Sequence, residues 1–515
     1  MSKSLTTEQR LARRIMGGES HPCMSDAYKW AMAQAGFPLR IETFYLTCRR
    51  GGPLFISFDL KAVVREFLPK RLPNGKERGF LGTHGYGLTP AMEKALLGDI
   101  EVWCAPKGTW VLPGEPILTV TGPSFLVSWL EPLAIMLNFP LQVATHCKTT
   151  DKATTINTTC DDEKAIVELA GISVGMTPAD DCWPLLIADP VAYKAGVAAR
   201  VASIKDALGG EIERAFEVGM RAATCMQQHR LALEACKEAG LLKTSNVYLA
   251  WELYMIPVGT TGHEHQQRWG DDASGFRAIR DMRMEPPSYL FDTVEPLLVG
   301  IPTAVEVMRE DTTRACSIRF DSGDQDAQLK LLLKLCHAQE EFHTETEAVV
   351  KHPALSPNTI FEDGYTDEKT KTNEAYCDGL GWPKERRFYG YGGFIVYDPA
   401  FHPFGRDKVS ACFKLTMTAG SPRMKHSGTP GKASIPGKPV IYRATDPHRT
   451  PPSLIAQEGE ACPAEYSPLG EPLTNHRPEG LPSLSEATFD LVDHLKAKRT
   501  EAIKAAKNRA LTWRK

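Results

Sequence analysis

Apolar and polar positions change rhythm along the chain, and the changes mark its elements. Met1 to Met16 is polar and reads as a short, frayed helix. Ser25 or Asp26 stands where a helix cap belongs, ahead of apolar residues that recur at helical spacing as far as Met32, and Tyr28 falls in the first turn. Glu42 to Cys48 alternates like a strand and delivers Arg49-Arg50-Gly51-Gly52 at its end, two guanidinium groups beside a bend, suited to an anion or simply solvated. Val102 to Val120 holds two strands around Leu112 to Glu115. Phe125 to Phe139 is an apolar helix with one acidic residue, Glu131, which burial obliges to pair, most simply with an arginine.

From Glu211 to Thr344 the pattern becomes a series of short apolar runs, each followed by a helical stretch, as in a parallel α/β barrel or sheet. The run ends carry polar residues: Glu217 to Arg221, Lys243 to Asn246, Gly259 to His263, Phe291 to Thr293 and Arg319 to Asp324. Barrel enzymes keep their chemistry at such ends. The stretch around which the chain is organised is Val258-Gly-Thr-Thr-Gly-His-Glu-His265. Its two glycines predict a tight turn that presents His263 on a loop, with Thr260 and Thr261 offering hydroxyls. Arg319 and Asp321, two apart on a strand, share a face; with Asp324 they form either a structural ion-pair knot or a ligand site. A second glycine loop, Gly390-Tyr-Gly392-Gly393, can bring amides to a phosphate, and Glu362-Asp363-Gly364 can bind vicinal hydroxyls. Thr450 to Pro482, rich in Pro, Gly and Glu, reads as a surface wrap. Ser483 to Glu486 reads as a capping box for a last helix whose basic end, Lys496 to Lys515, reads as a solvated face.

Composition narrows the function. The 515 residues exceed one core, so two or three domains are expected. A formal charge of -3 gives no basic excess for a nucleic acid or a membrane surface, and no apolar run is long enough to span a bilayer. The 13 cysteines are dispersed and outside metal spacing, as in a reducing, cytoplasmic compartment. His263 and His265 alone are too few ligands for a zinc site, so no metal centre built from side chains is expected.

Taken in order, the motifs resemble those of the nicotinate phosphoribosyltransferase family and its relative, nicotinamide phosphoribosyltransferase. Ser25-Asp-Ala-Tyr28 is similar to T-D-x-Y, the Pro116 to Thr145 region with Glu131 and Asn138 to G-P-x-x-x-x-x-L-E, and Glu217 to Arg221 to E-F-G-x-R. Thr244-Ser-Asn-Val247 is similar to G-T-S-N-V, Gly259 to Glu264 to G-T-x-A-H-E, and Ile318 to Asp324 to I-R-x-D-S-G-D. Lys425-x-Ser427, Lys432 and Pro436-Gly-Lys438 echo K-x-S and P-G-x-K. Val218 replaces the family's stacking Phe, Ala222 its second Arg, Lys243 a Gly and Gly393 a Thr, and the stretch from 146 to 210 is longer than usual.

The resemblance implies an irregular α/β barrel plus an α/β domain built from N- and C-terminal segments: 1–145 and 395–515 for the latter, 146–394 for the barrel with an insertion at about 146–210. It implies transfer of ribose 5-phosphate from phosphoribosyl pyrophosphate to the ring nitrogen of nicotinate, with Mg²⁺ on the diphosphate and ATP phosphorylating His263. Asp292 orients that histidine, and Asp292, Asp321 and Asp363 flank the sugar. Arg221 with the Gly392 and Gly393 amides holds phosphate. Tyr28 stacks on the base, from its own or a neighbouring subunit of a homodimer with sites at the interface; Thr260 and Arg319 bind it. Asn246, where nicotinamide enzymes resemble this stretch with Asp, is expected to select nicotinate. A nicotinamide enzyme is the alternative, followed by a metal-dependent barrel hydrolase or a non-catalytic relative.

Overall fold

The computed structural model describes residues 5–149, 190–343, 348–399, 404–426, 433–471 and 476–512. Most of the long stretch between 146 and 210 therefore lies outside the described residues, as do Ser427 and Lys432. The part of that stretch that is described at its far end, Pro190–Ala207, is a helix. Tyr193, Val197, Val201 and Ile204 recur every three or four residues and are its buried face.

Two sheets organise the chain, which is mixed α/β as its pattern predicts. In the first, Ile41–Cys48 runs antiparallel between Ala411–Thr418 and Pro116–Pro123, so residues from both ends of the chain share one sheet. Seven of its eight residues are buried, because strands or helices cover both faces. The second is a seven-stranded parallel sheet in the order Ile256–Pro257, Lys243–Thr244, Ala215–Glu217, Arg387–Tyr391, Asn358–Phe361, Ser317–Phe320, Ser288–Leu290. It curls until its two edges come within reach: the Thr261 hydroxyl donates to the Ser288 carbonyl at 3.1 Å. This is the irregular barrel. Phe291, Phe320, Phe361 and Tyr389 form a continuous aromatic layer inside it, with ring centroids 5.1, 4.9 and 5.4 Å apart in that order. All four are buried. Each contributes about 2 to 3 kcal/mol by burial, and the layer fixes the height at which the strands end.

Three features differ from the pattern reading, each for a physical reason. The apolar run from Phe125 to Phe139 is not one helix but parts of three, Ser124–Trp129, Glu131–Met136 and Asn138–Thr149. Its residues are buried on every side, so periodicity could not show the breaks. Thr450 to Pro482 is no mere wrap: Ser453–Gln457 and Tyr466–Pro468 join Pro439–Ala444 and Ser483–Leu484 in a four-stranded sheet. The prolines and glycines lie between strands too short to dominate the composition. Ser485 rather than Ser483 caps the last helix, Glu486–Thr512, its hydroxyl accepting from the Thr488 amide at 3.3 Å.

One buried group weakens the fold at neutral pH. Both carboxyl oxygens of Asp272, which is 3% exposed, lack a hydrogen-bond partner among the described residues. Burial, reinforced by Asp271 and Asp292, pushes its pKa up to about 8. A raised carboxyl holds a proton in the folded state that the unfolded chain loses above about 4, so stability falls as pH rises between those values. Asp272→Asn should remove that slope: between pH 5 and pH 7 the native protein should lose roughly 3 kcal/mol more than the variant. Urea unfolding at both pH values reads this, and parallel curves would show that Asp272 does not titrate in that window.

Candidate active site

The C-terminal ends of the parallel strands open into a cavity of ≈1330 Å³ that reaches across to the first sheet. Ten lysines and arginines and eight carboxylates line it, so the wall carries net positive charge and favours anionic ligands.

His263 lines it and is the first residue of the helix His263–Trp269 rather than part of a loop. The glycines before it serve a different purpose from the one expected. Neither has a left-handed backbone; they are needed for close approach. A Cβ on Gly259 would lie 2.3 Å from the Tyr28 amide nitrogen, and one on Gly262 3.0 Å from the Tyr28 ring. The loop thus packs directly on the helix Ala27–Gln34 of the same chain. Tyr28 reaches the cavity from its own chain, with its hydroxyl on Glu131 at 2.5 Å and Arg221 over its ring at 5.7 Å.

The imidazole is held on both edges. Nε2 lies 3.2 Å from Asp321 and 3.7 Å from Asp292, while Nδ1 meets the Thr293 hydroxyl at 3.1 Å. Burial and then Lys425 push the His263 pKa down; Asp292 and Asp321 oppose them without prevailing. Burial would raise the Asp321 carboxyl, but Arg319 and His263 outweigh it and hold it well below the usual range. An ionised carboxylate only accepts, so Nε2 carries the proton and Nδ1 presents its lone pair. Asp321 shares with Asp292 the orienting role expected of Asp292 alone, and Asp292 is itself fixed by the Ser322 hydroxyl. The ligand atoms of His263, Asp292 and Asp321 lie within 4.8 Å of one another, a cluster able to hold a cation that the spacing of residues did not reveal.

Arg319 and Asp321 do share a face and are paired. Arg319 also binds Glu362 at 3.0 Å, the Thr260 hydroxyl at 2.9 Å and the Thr261 carbonyl at 2.7 Å. Burial would lower its pKa, yet Asp321 and Glu362 raise it. Thr260 itself is not part of the cavity wall; its hydroxyl holds Arg319. Asn246 is a larger departure. It is fully buried behind the wall, its amide nitrogen 2.9 Å from His229 and its oxygen capping the helix Val247–Leu253, so it cannot meet a base. Asp363, Gly392 and Gly393 all line the cavity, with Asp363 in the left-handed region at φ 75°.

Arg221 lies 3.5 Å from Glu131 and 3.8 Å from Asp26, so Glu131 does have an arginine partner. Its main partner is Lys29, a residue that pattern reading passed over because it sits inside an apolar helix. Burial would raise the Glu131 carboxyl, but Lys29 and Arg221 hold it far below the usual range. Lys29 also binds Glu264 at 3.0 Å, which explains the Glu after His263. His265 is a core residue: Nε2 bonds the Gly275 carbonyl at 2.8 Å and burial pushes its pKa down to about 4. It forms no metal pair with His263. Lys414 and Lys425, from the first sheet and the segment after it, were likewise missed as a group because distant parts of the chain supply them. Burial, then Lys425, lowers Lys414 to about 8.

Comparison with known proteins follows the same outline. No family model matches the chain. It is 23% identical over 448 residues to human nicotinate phosphoribosyltransferase, covering 82% of this chain and 77% of that one. With nicotinate phosphoribosyltransferase 2 of Arabidopsis thaliana it shares 23% over 457 residues, 84% and 77% of the two chains. The proteins it is similar to here are named nicotinate phosphoribosyltransferases. Solved structures of nicotinate phosphoribosyltransferases share the fold: that from Porphyromonas gingivalis at a TM-score of 0.53 and 17% identity, covering 81% of this chain and 96% of that one. The Vibrio cholerae protein superposes at 0.53 with 18% identity over 82% and 92%. Val218 lines the cavity, and so does Tyr28, whose ring and hydroxyl meet Arg221 and Glu131. Among the described residues no helix is long and apolar enough to cross a membrane.

Proposed function

We propose that this protein is a nicotinate phosphoribosyltransferase: it joins nicotinate to the ribose 5-phosphate unit of phosphoribosyl pyrophosphate, releasing pyrophosphate, and couples the transfer to ATP through a phosphohistidine at His263. The product class belongs to NAD salvage. The observation that carries the reading is the neutral, oriented imidazole of His263 on the wall of a cationic cavity, with Asp292, Asp321 and Arg319 around it. The names of the relatives point the same way.

The residues suit each step. A developing positive charge at the ribosyl carbon is stabilised by Asp292, Asp321 and Asp363. Arg221 and the Gly392-Gly393 turn line the cavity and would hold phosphate. Asp292 and Asp321 supply the hard oxygen donors that Mg²⁺ prefers, and one Asp292 oxygen is buried without a hydrogen-bond partner among the described residues, so the cluster fits that ion. Bound there with the diphosphate, Mg²⁺ would neutralise part of its charge. Tyr28 offers a ring face to the base. Base choice rests on charge: a wall with excess cations and the Arg319 guanidinium favours anionic nicotinate over neutral nicotinamide.

The test is a steady-state assay with both bases, with and without ATP and with EDTA. Nicotinate should be used at least about tenfold more efficiently than nicotinamide, a difference of roughly 1.4 kcal/mol. ATP should raise the rate, and EDTA should abolish it until Mg²⁺ is returned. Equal use of nicotinamide would overturn the base assignment; activity unaffected by EDTA would overturn the Mg²⁺ one.

A further inference from the structure

The basic C-terminal helix turns Arg499 toward the cavity. Arg499 is half-buried in the cavity wall, and its Nε donates to the Val294 carbonyl at 2.7 Å. Val294 follows Thr293, whose hydroxyl meets Nδ1 of His263. The guanidinium is thus tethered by one nitrogen next to the loop that covers the nucleophilic edge of the imidazole. Neither of its terminal nitrogens has a hydrogen-bond partner among the described residues.

The position of the proton fixes which edge of His263 can accept a phosphoryl group. Nε2 points its proton at two carboxylates, Asp321 at 3.2 Å and Asp292 at 3.7 Å, and has no lone pair to offer phosphorus. The Nδ1 edge carries a hydroxyl instead, beside the loop that tethers Arg499. Lys425 and Arg499 line the same cavity, and Arg499 with Lys496 adds to burial in holding His426 at about 4. A cation with two unused, coplanar donors on the wall of the cavity that His263 also lines is suited to recognise phosphoryl oxygens two at a time.

We propose that Arg499 is a phosphoryl-binding residue for His263, its terminal nitrogens gripping the transferring phosphate of a nucleoside triphosphate while Nε stays on Val294. The proposal rests on the phosphohistidine reading. In the step it serves, the Nδ1 lone pair attacks the γ-phosphorus and an Nδ1–P bond forms. The bond from that phosphorus to the β-γ bridging oxygen breaks, and the diphosphate leaves with the electron pair. The proton on Nε2 stays there, balanced by Asp321. Thr293 gives up its hydrogen bond to Nδ1 as the phosphorus arrives, and Arg499 takes charge building on the phosphoryl oxygens. A residue that merely pinned the helix to the loop would need only Nε.

The experiment measures label transfer from γ-labelled ATP to the full-length protein, alongside ATP-independent nicotinate transfer and thermal unfolding. Arg499→Ala should slow labelling by about 100-fold or more at saturating ATP, within the range of arginines that stabilise transferring phosphate. ATP-independent transfer should fall far less than labelling, because it needs no grip on a transferring phosphate. Arg499→Lys, which keeps the charge but not the fork, should label roughly tenfold slower, and it decides the matter if the alanine variant does not fold. Wild-type labelling with both folded variants within twofold of it would overturn the arginine assignment alone. No label on the wild type would overturn the phosphohistidine reading, and this proposal with it.

Discussion

His263→Ala is expected to take up no label from γ-labelled ATP and to lose the ATP-dependent gain in transfer, while a slow ATP-independent transfer persists. The acceptor atom is removed, but Asp292 keeps its bond to Ser322, Asp321 keeps Arg319, and the sugar and base walls remain. Loss of an oriented nucleophile of this kind costs on the order of 100-fold or more in the step it performs. The pH profile of the intact protein supplies an independent check. Burial and Lys425 place the His263 pKa below 6.5, so the neutral, nucleophilic form dominates at pH 7. Labelling should therefore fall, as the imidazole takes up a proton, only at pH values more acidic than an ordinary imidazole would require. Phosphate on the alanine variant that is acid-labile and base-stable would place the acceptor elsewhere, and a profile already falling at pH 7 would contradict the depressed imidazole.

Much of this site was legible in the chain because strand ends announce themselves. A short apolar run followed by polar residues and a helix places the polar residues at the mouth of a parallel barrel, and Arg319, Asp321, His263 and Asp292 were all found that way. Two kinds of information were not local enough to read. Lys29, Lys414, Lys425 and Arg499 lie in four separate stretches of the chain, and only the folding of the chain ends onto the barrel brings them to one wall. Orientation was the other. Asn246 occupies the expected strand end, yet its amide is spent on His229 and on a helix cap, so it shapes the framework and not the base pocket. The glycines around Thr260 and Thr261 misled in the same way: the turn they suggested is a close approach to Tyr28, a contact between residues far apart in sequence.

Arg319→Ala is expected to destabilise the protein as well as the site, by about 3 to 5 kcal/mol. The chain read alone predicts a selective rise in the nicotinate KM, because a guanidinium pairs with a carboxylate. The structure spreads that loss. Arg319 neutralises both Asp321 and Glu362, and its removal leaves two carboxylates crowded in a buried wall and takes the donor from Thr260 and Thr261. Burial already pushes the Glu362 carboxyl up with Arg319 present, so without it Glu362 should hold its proton to a still higher pH. Asp321 loses the cation that holds it ionised and positions it for His263. The KM for phosphoribosyl pyrophosphate should therefore rise together with that for nicotinate, and His263 labelling should slow. Arg319→Ala combined with Glu362→Gln separates the two causes, because one orphaned charge is gone. The double variant should regain part of the stability, read by urea unfolding, but not the nicotinate KM, since the partner for the base carboxylate is still missing. If Arg319→Ala unfolds at the wild-type urea concentration and changes only the nicotinate KM, the ion pairs to Asp321 and Glu362 hold nothing together, and Arg319 is a base ligand and no more.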